Sequence, residues 1–346
     1  MKRIISLLIL AASLAAPGFA QSDLQPAAIV RLTKSEPITV KQYRTEVERY
    51  EKQAGRALSN TERRQVLDMM INEKLASQAA ERDKITITDN EVNQRLQELR
   101  TSMSQTIQRQ PTDAEFATAI RNETGLELPA FREQLKKQLL IQKYLMEKKK
   151  DSFNSLKAPT EEEIRNAYNL AKAELVRPET VRFSMIQAAF TDTASKAKAK
   201  EIADRLVREI GNSPAKFDEA MAKGRAPNSE YQAGDGGYLP RNTQAQQVVG
   251  AEFITVAFSL KQGEVSKLIE NTRGFQIIKI TETYEQKNLE LDDIFQLGTR
   301  VTVRDYIGNS MLQEREQALI EKVTQELVAE LRAGNPYQIY ESNLNW

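Results

Sequence analysis

FITVAFSLKQGEVSKLIENTRGFQIIKI, residues 253–280, is the stretch that decides the fold. Phe253 and Phe258 belong to a helical segment, and two strand-like runs follow, Glu264–Glu270 and Gly274–Ile280. The linker Asn271-Thr272-Arg273-Gly274 suits a hairpin between them. Moving upstream, the glycine-rich stretch Gly234-Asp235-Gly236-Gly237-Tyr238 reads as a loop. Before it, Ser213-Pro214 starts a short helix carrying Phe217 and Met221, with Pro at the tolerated first position. A longer helix places Ile202, Leu206, Val207 and Ile210 on one face and stops at Gly211. Val181-Arg182-Phe183-Ser184-Met185-Ile186 alternates and is rich in strand formers. The order strand, helix, helix, loop, helix, strand, strand predicts a compact α+β unit of about 100 residues.

On both sides of that unit the texture is helical. Four [ST]-x-x-E capping boxes announce helix starts, at Ser59–Glu62, Thr88–Glu91, Thr112–Glu115 and Thr160–Glu163. In each, a hydroxyl and a carboxylate satisfy backbone N–H groups that a helix start leaves unpaired. Leu67, Met70, Ile71, Leu75 and Ala79 recur at helical spacing, as do Phe131, Leu135, Leu139 and Ile141–Leu145. The run Lys148-Lys149-Lys150 reads as a solvated helix C-terminus, where cations suit the dipole, and not as a nucleic-acid patch. Helical patterning returns from Leu289 and continues through Val301, Ile307, Leu312, Leu319, Ile320, Val323, Leu327 and Leu331 to Gly334. An isolated amphipathic helix is not stable alone and must bury its face. The N-terminal helices are the available partner, which makes the α+β unit an insertion within one helical lobe.

Composition removes whole classes of chemistry. The chain has 346 residues, with 49 Lys plus Arg against 48 Asp plus Glu, no Cys and no His. There is therefore no disulfide, no thiol nucleophile, no Ser-His-Asp triad and no HExxH helix. The formal charge of +1 supplies no field for capturing nucleic acid. The glycine stretch lacks the lysine and hydroxyl of a phosphate loop and the spaced acids of a calcium loop. Ser195-Lys196-Ala197-Lys198 reads as a solvated helix start. No metal, cofactor or nucleic-acid partner is expected. Residues 1–20 read as a secretory signal: Lys2 and Arg3, an apolar core from Ile4 to Ala16, then small residues before cleavage after Ala20. No later segment approaches a membrane-spanning length. The mature chain is expected to be exported to a periplasm, without stable membrane insertion.

Val181–Ile186, Gly234–Tyr238, the run Ala257–Ser266 and Gly274–Lys279 together resemble the parvulin family of peptidyl-prolyl cis-trans isomerases, in family order and separation. Glu36–Thr39, Val66–Leu75 and Phe131–Lys143 are similar to SurA/PrsA-type exported chaperones. The resemblance implies an α+β protein. A helical chaperone lobe of residues 21–178 is completed by a returning C-terminal helix, 285–346, and a parvulin-like domain occupies 179–284. It places the family's two characteristic histidines on Met185 and Gln276, its proline-pocket aromatic on Phe253 and a neighbouring apolar position on Val249. The acid or thiol that active members carry before the glycine stretch has no counterpart in Arg225–Ser229. Met185 donates no hydrogen bond and Gln276 retains a donor. Since catalysis requires holding the twisted amide more tightly than the planar one, peptide binding without efficient turnover is expected. Leu67, Met69 and Met70 are taken as chaperone surface, adaptable to varied unfolded exported chains such as outer-membrane precursors. The alternatives are an active prolyl isomerase and a structural helical surface protein.

Overall fold

The computed structural model describes residues 23–272 and 274–344; the expected signal segment and its cleavage after Ala20 lie outside the described residues. In chain order the elements are β1 (Pro26–Val30), β2 (Glu36–Thr39), α1 (Val40–Ala54), α2 (Asn60–Arg82), α3 (Asp89–Ile107) and α4 (Asp113–Thr124). Next come α5 (Leu128–Lys148), α6 (Lys150–Asn154), α7 (Glu161–Ala171), β3 (Val176–Arg177), β4 (Thr180–Ala189), α8 (Thr193–Ile210) and α9 (Pro214–Gly224). The chain continues through β5 (Gln232–Pro240), α10 (Thr243–Val249), α11 (Ala251–Ser259), β6 (Ile269–Asn271), β7 (Gly274–Tyr284) and β8 (Lys287–Asn288). It ends with α12 (Val303–Arg332) and β9 (Tyr337–Ile339). Two compact units result, one running to Leu156 and resuming at Arg315, the other Lys157–Glu314.

The first unit is helical and closed by both chain ends. All three capping boxes expected within it form, at Ser59, Thr88 and Thr112. A further one at Thr39 uses Gln42 as its returning side chain. Each such cap stabilises its helix by roughly 0.5–2 kcal/mol. The three-stranded sheet is ordered β2-β1-β9, so a strand from near the C-terminus pairs with one from near the start, Ala28 facing Ile339. Leu327 and Leu331 of α12 join Val30, Ile38, Leu67, Ile71 and Tyr144 in one buried core. Arg332 clamps this return by donating to Asn72 Oδ1 (2.7 Å) and Asp68 Oδ1 (2.8 Å). Gln78, almost fully buried, spends its carboxamide on the β1–β2 turn. It accepts from the amides of Leu32 and Thr33 and donates to the Lys34 carbonyl, each at 3.0 Å, so the buried carboxamide has partners at both ends.

The second unit is built on an antiparallel sheet ordered β5-β4-β7-β6. Ile186, Ala188, Phe275 and Ile277 point to one face and pack beneath α8 and α9. Val181, Phe183, Ile278 and Ile280 point to the other and pack beneath α11. The expected hairpin is present, with Asn271 opposite Gly274. Tyr168, Leu175, Leu289, Leu291, Val303 and Ile307 form a separate buried cluster beside the short β3–β8 pair.

The fold is α+β, a helical lobe with a returning C-terminal helix and an inserted sheet domain, and four details differ from the sequence reading. Gly234–Tyr238 is not a loop but the middle of β5; its glycines serve a bulge, where Phe183 pairs with Gly237 and Ser184 with Asp235, leaving Gly236 extra. The domain therefore runs β-α-α-β-α-α-β-β rather than β-α-α-α-β-β. Glu264–Glu270 is mostly irregular, with a single bridge from Val265 to Lys279 before β6 begins at Ile269. The C-terminal helix begins at Val303, and Val303 and Ile307 serve the second unit's core, so the compact unit reaches beyond 179–284 on both sides. Among the described residues, no helix is long and apolar enough to cross a membrane.

Candidate functional site

Candidate functional residues gather in two places, one on the sheet face beneath α11 and one between helices of the first unit. On the sheet, β4 and β7 bring the expected residues together by register. Gln187 pairs with Gln276 and Met185 with Ile278, so Met185 and Gln276 are diagonal neighbours on one face. Phe253 from α11, Val249 from the end of α10 and Met185 all belong to the apolar cluster on that face. The four residues that the resemblance assigns to a prolyl site thus lie close together on one face of the sheet.

What they offer a peptide is another matter. The Gln276 carboxamide is buried and engaged at both ends: its oxygen accepts from Asn271 Nδ2 at 3.0 Å and its nitrogen donates to Gln187 Oε1 at 3.3 Å. Gln187 in turn lies opposite Gln232 of β5, which sets a row of three glutamines across β5, β4 and β7. Ser266, also buried, spends its hydroxyl oxygen on the Ile278 amide at 2.9 Å. These polar groups hold one another. The face thus carries a Met thioether, which donates nothing, beside a carboxamide held by two neighbours.

The apolar wall is closed as well. Phe253 is 3% exposed, because the Phe183 ring stands edge-on to it with centroids 5.3 Å apart and planes at 67°. Read from sequence as a peptide-holding wall, Phe253 is in the structure an interior side chain. The sequence offers no signal for this, since Phe183 and Phe253 are 70 residues apart and meet only through the sheet.

The charged group nearest the β5 bulge is structural. Arg182 of β4 reaches Asp235 on β5 (2.7 Å) and Glu282 on β7 (2.8 Å) and ties three strands together. Its guanidinium, with help from the Gly237 amide, holds the Asp235 carboxyl below its usual range. Glu282 is also held low, first by the hydroxyl that Tyr284 donates to it and then by Arg182, while Tyr284 is pushed up to about 12 by the same hydrogen bond. All these groups keep one charge state across physiological pH, so they supply no acid–base pair. Among the described residues, no cluster of acidic, His or Cys side chains suits a metal ion.

In the first unit two adjoining clefts lie along α2 and α5. One, of about 480 Å³, is lined by Ile85, Ile87 and Leu140 with Lys136, Lys137, Glu81 and Glu133 at its edge. The other, of about 630 Å³, is lined by Ile38, Met70, Leu126 and Ala130 among polar groups. Ser77, Glu133 and Lys137 border both. Of the residues expected at the chaperone surface, Met70 lines the larger cleft and Met69 faces solvent. Leu67 is fully buried. The correction has a simple cause: α2 packs on two sides, burying Val66 and Leu67 together, and a three–four periodicity does not distinguish the deep side from the open one. Ile85, Ile87 and Leu126 are absent from the sequence reading of this surface because they sit in connections between helices, and Leu140, inside α5, because it lies off the stripe of Leu135 and Leu139.

Comparison with known proteins bears on both units. Residues 159–295 match the family model described as a PPIC-type PPIase domain, and residues 1–145 match that of a SurA-like N-terminal domain. Chaperone SurA of Nitrosococcus oceani is 28% identical over 267 residues, which are 74% of this chain and 56% of that protein. Foldase protein PrsA of Clostridium botulinum is 23% identical over 308 residues, 88% of this chain and 80% of that protein. A solved structure from work on PEB4 and Cj1289, two SurA-like chaperones of Campylobacter jejuni, aligns over 91% of this chain and 100% of its own. It does so at 12% identity with a TM-score of 0.40. The two domain matches define a chaperone-type chain in which a parvulin domain accompanies a SurA-like domain. This chain belongs to the SurA/PrsA-type parvulin-domain chaperones.

Proposed function

We propose that this chaperone holds unfolded exported polypeptides in the clefts of its helical unit, and that its parvulin domain turns over prolyl bonds feebly or not at all. The observation that carries the second half is the Gln276 carboxamide, tied at both ends to Asn271 and Gln187 beside a Met185 that donates nothing. Uncatalysed prolyl exchange crosses a barrier of roughly 18–20 kcal/mol, and a buried carboxamide held by two neighbours beside a thioether that donates nothing lowers it little. Supporting the first half are the open clefts beside α2 and α5, apolar at the floor and of mixed charge at the rim. Such a surface suits segments of varied sequence, since flexible Met and aliphatic groups repack against different shapes. Outer-membrane precursors, whose strands must be kept from pairing edges, are the proposed clients, and a periplasm is the proposed compartment.

The test is a paired measurement on one preparation of the full chain: prolyl turnover on a tetrapeptide with a central proline, and suppression of aggregation of an unfolded outer-membrane β-barrel protein. Client holding with turnover near the uncatalysed rate is the expected result. Turnover comparable with histidine-bearing parvulins would promote the isomerase reading. Absence of client holding would leave the structural-protein reading.

A further inference from the structure

We infer that Phe183 is a built-in stopper of the parvulin domain's proline pocket, seated by Gly236, and that this pair denies the pocket to client prolines. The inference rests on the reading of Phe253 as the pocket wall and goes beyond it. Three observations converge on Phe183. Its ring covers Phe253 edge-on at 5.3 Å, leaving the two rings 5% and 3% exposed. An edge-to-face pair of this kind is favourable beyond its buried area, so the contact is not incidental filling.

The second observation is the space beneath the ring. A Cβ placed on Gly236 would lie 2.1, 2.3 and 2.7 Å from three carbons of the Phe183 ring, nearer than any real contact. Gly237 beside it adopts φ +77°, where conformation alone favours glycine, but Gly236 is outside that left-handed region. Gly236 is therefore required for room, and the room is occupied by Phe183.

Third, both neighbouring strands bulge at this one residue. Toward β5 the register slips between Phe183 and Ser184, leaving Gly236 extra. Toward β7 it slips between Arg182 and Phe183, with Arg182 opposite Glu282 and Phe183 opposite Ile280, leaving Thr281 extra. Bulges re-aim side chains. The first is pinned by Asp235, which accepts from the Gly237 amide at 2.9 Å and pairs with Arg182; the second by Thr281, whose hydroxyl donates to the Arg182 carbonyl at 3.1 Å. Packed side chains in this position cannot yield to a proline without a vacancy elsewhere.

The experiment titrates the full chain with the peptide Ala-Ala-Pro-Phe, following intrinsic fluorescence and the peptide-induced shift in melting temperature. The wild type should show no saturable binding below millimolar peptide. Phe183→Ala should bind at least tenfold tighter, and adding Phe253→Ala should remove the gain. Equal affinity of wild type and Phe183→Ala, or no gain in a folded Phe183→Ala, would overturn the stopper. Should Phe183→Ala prove too unstable to titrate, Gly236→Ala gives a second reading. It should lower the melting temperature in the wild type by several degrees and do so far less beside Phe183→Leu, whose smaller side chain vacates part of the space. Additive losses would count against the pair. A peptide gain without client holding by the wild type would sink the proposed function and leave the stopper standing; the reverse result would do the opposite.

Discussion

The two units treat their apolar surface in opposite ways. The helical unit closes its core with Leu67, Ile71, Leu327 and Leu331 and still leaves Ile85, Ile87, Leu140 and Met70 lining open clefts. The sheet unit gathers Met185, Val249 and Phe253 on one face and fills the space against them with its own Phe183. Both units follow the same packing physics, in which voids are costly and are filled if any side chain reaches them. The difference lies in who does the filling. In the sheet it is a neighbouring strand, fixed in register; along α2 and α5, among the described residues, the clefts stay open.

The largest effect expected is on the return of the chain end. Truncation after Glu314 removes Leu327, Leu331, the Arg332 clamp and β9 together. Each buried leucine contributes about 2–5 kcal/mol when truncated to Ala, which rivals the whole stability of a domain at about 5–15 kcal/mol. The helical unit's melting transition should vanish while that of Lys157–Glu314 persists. Two unchanged transitions would show that the helical unit does not need its second half.

Next in size is the cleft. Ile85→Asp with Leu140→Asp should weaken client holding about tenfold or more, because desolvating a carboxylate against an apolar client is costly, while far-ultraviolet dichroism stays unchanged. Crosslinks from a photoreactive client should fall on the helical unit. Crosslinks confined to the sheet unit would reverse the contrast drawn above. Smaller still is the response of turnover to Met185→His and Gln276→His. One well-placed donor is worth on the order of 10²–10³ in rate where polar stabilisation dominates. With Phe183 in place and no acid or thiol in Arg225–Ser229, the double variant should recover only a minor part of that. Rates equal to those of histidine-bearing parvulins would break the argument.

The smallest effect is on pH. Glu62 is lowered to about 2 by Arg56 and the Ser59 cap, Glu91 to about 2 by Lys143 and Thr88, and Glu115 to about 2 by Arg109 and Thr112. An unfolded Glu titrates near about 4.3. Their contribution is therefore present above that value and is lost as pH falls from there toward 2. The helical unit, which holds all three, should lose melting temperature across that window more steeply than the sheet unit. With no His in the chain, stability and client holding should stay level between pH 5.5 and 8. A step near pH 6.5 would contradict this.

How much of this could be read beforehand follows the range of each interaction. Capping boxes act over three residues, and all four at Ser59, Thr88, Thr112 and Thr160 form. The box at Asp192 escapes the S/T-x-x-E/Q pattern because Ser195 supplies the returning oxygen. The Asn271–Gly274 hairpin is equally local. Gly234–Tyr238 misled because glycines mark a loop and a bulge alike, and only the partner strand decides between them. Leu67 and Met69 are two residues apart, yet one is in the core and the other in solvent, a distinction made by what packs on α2. The Phe183–Gly236 fit lies beyond reach of any local pattern, since it joins residues 53 apart in a register set by two bulges.

One consequence of the β2-β1-β9 sheet concerns time. A polypeptide leaves the ribosome N-terminus first. Lys157–Glu314 is then complete and free to fold while β1 still lacks β9 on its second edge, and Leu327 and Leu331 have not arrived. Domains generally fold as units during synthesis, and this unit has its first half waiting for its last thirty-odd residues. The clefts along α2 and α5 thus acquire their finished support only when the whole molecule has emerged, so an incomplete copy presents unfinished apolar surface and is itself a substrate for any chaperone already at work.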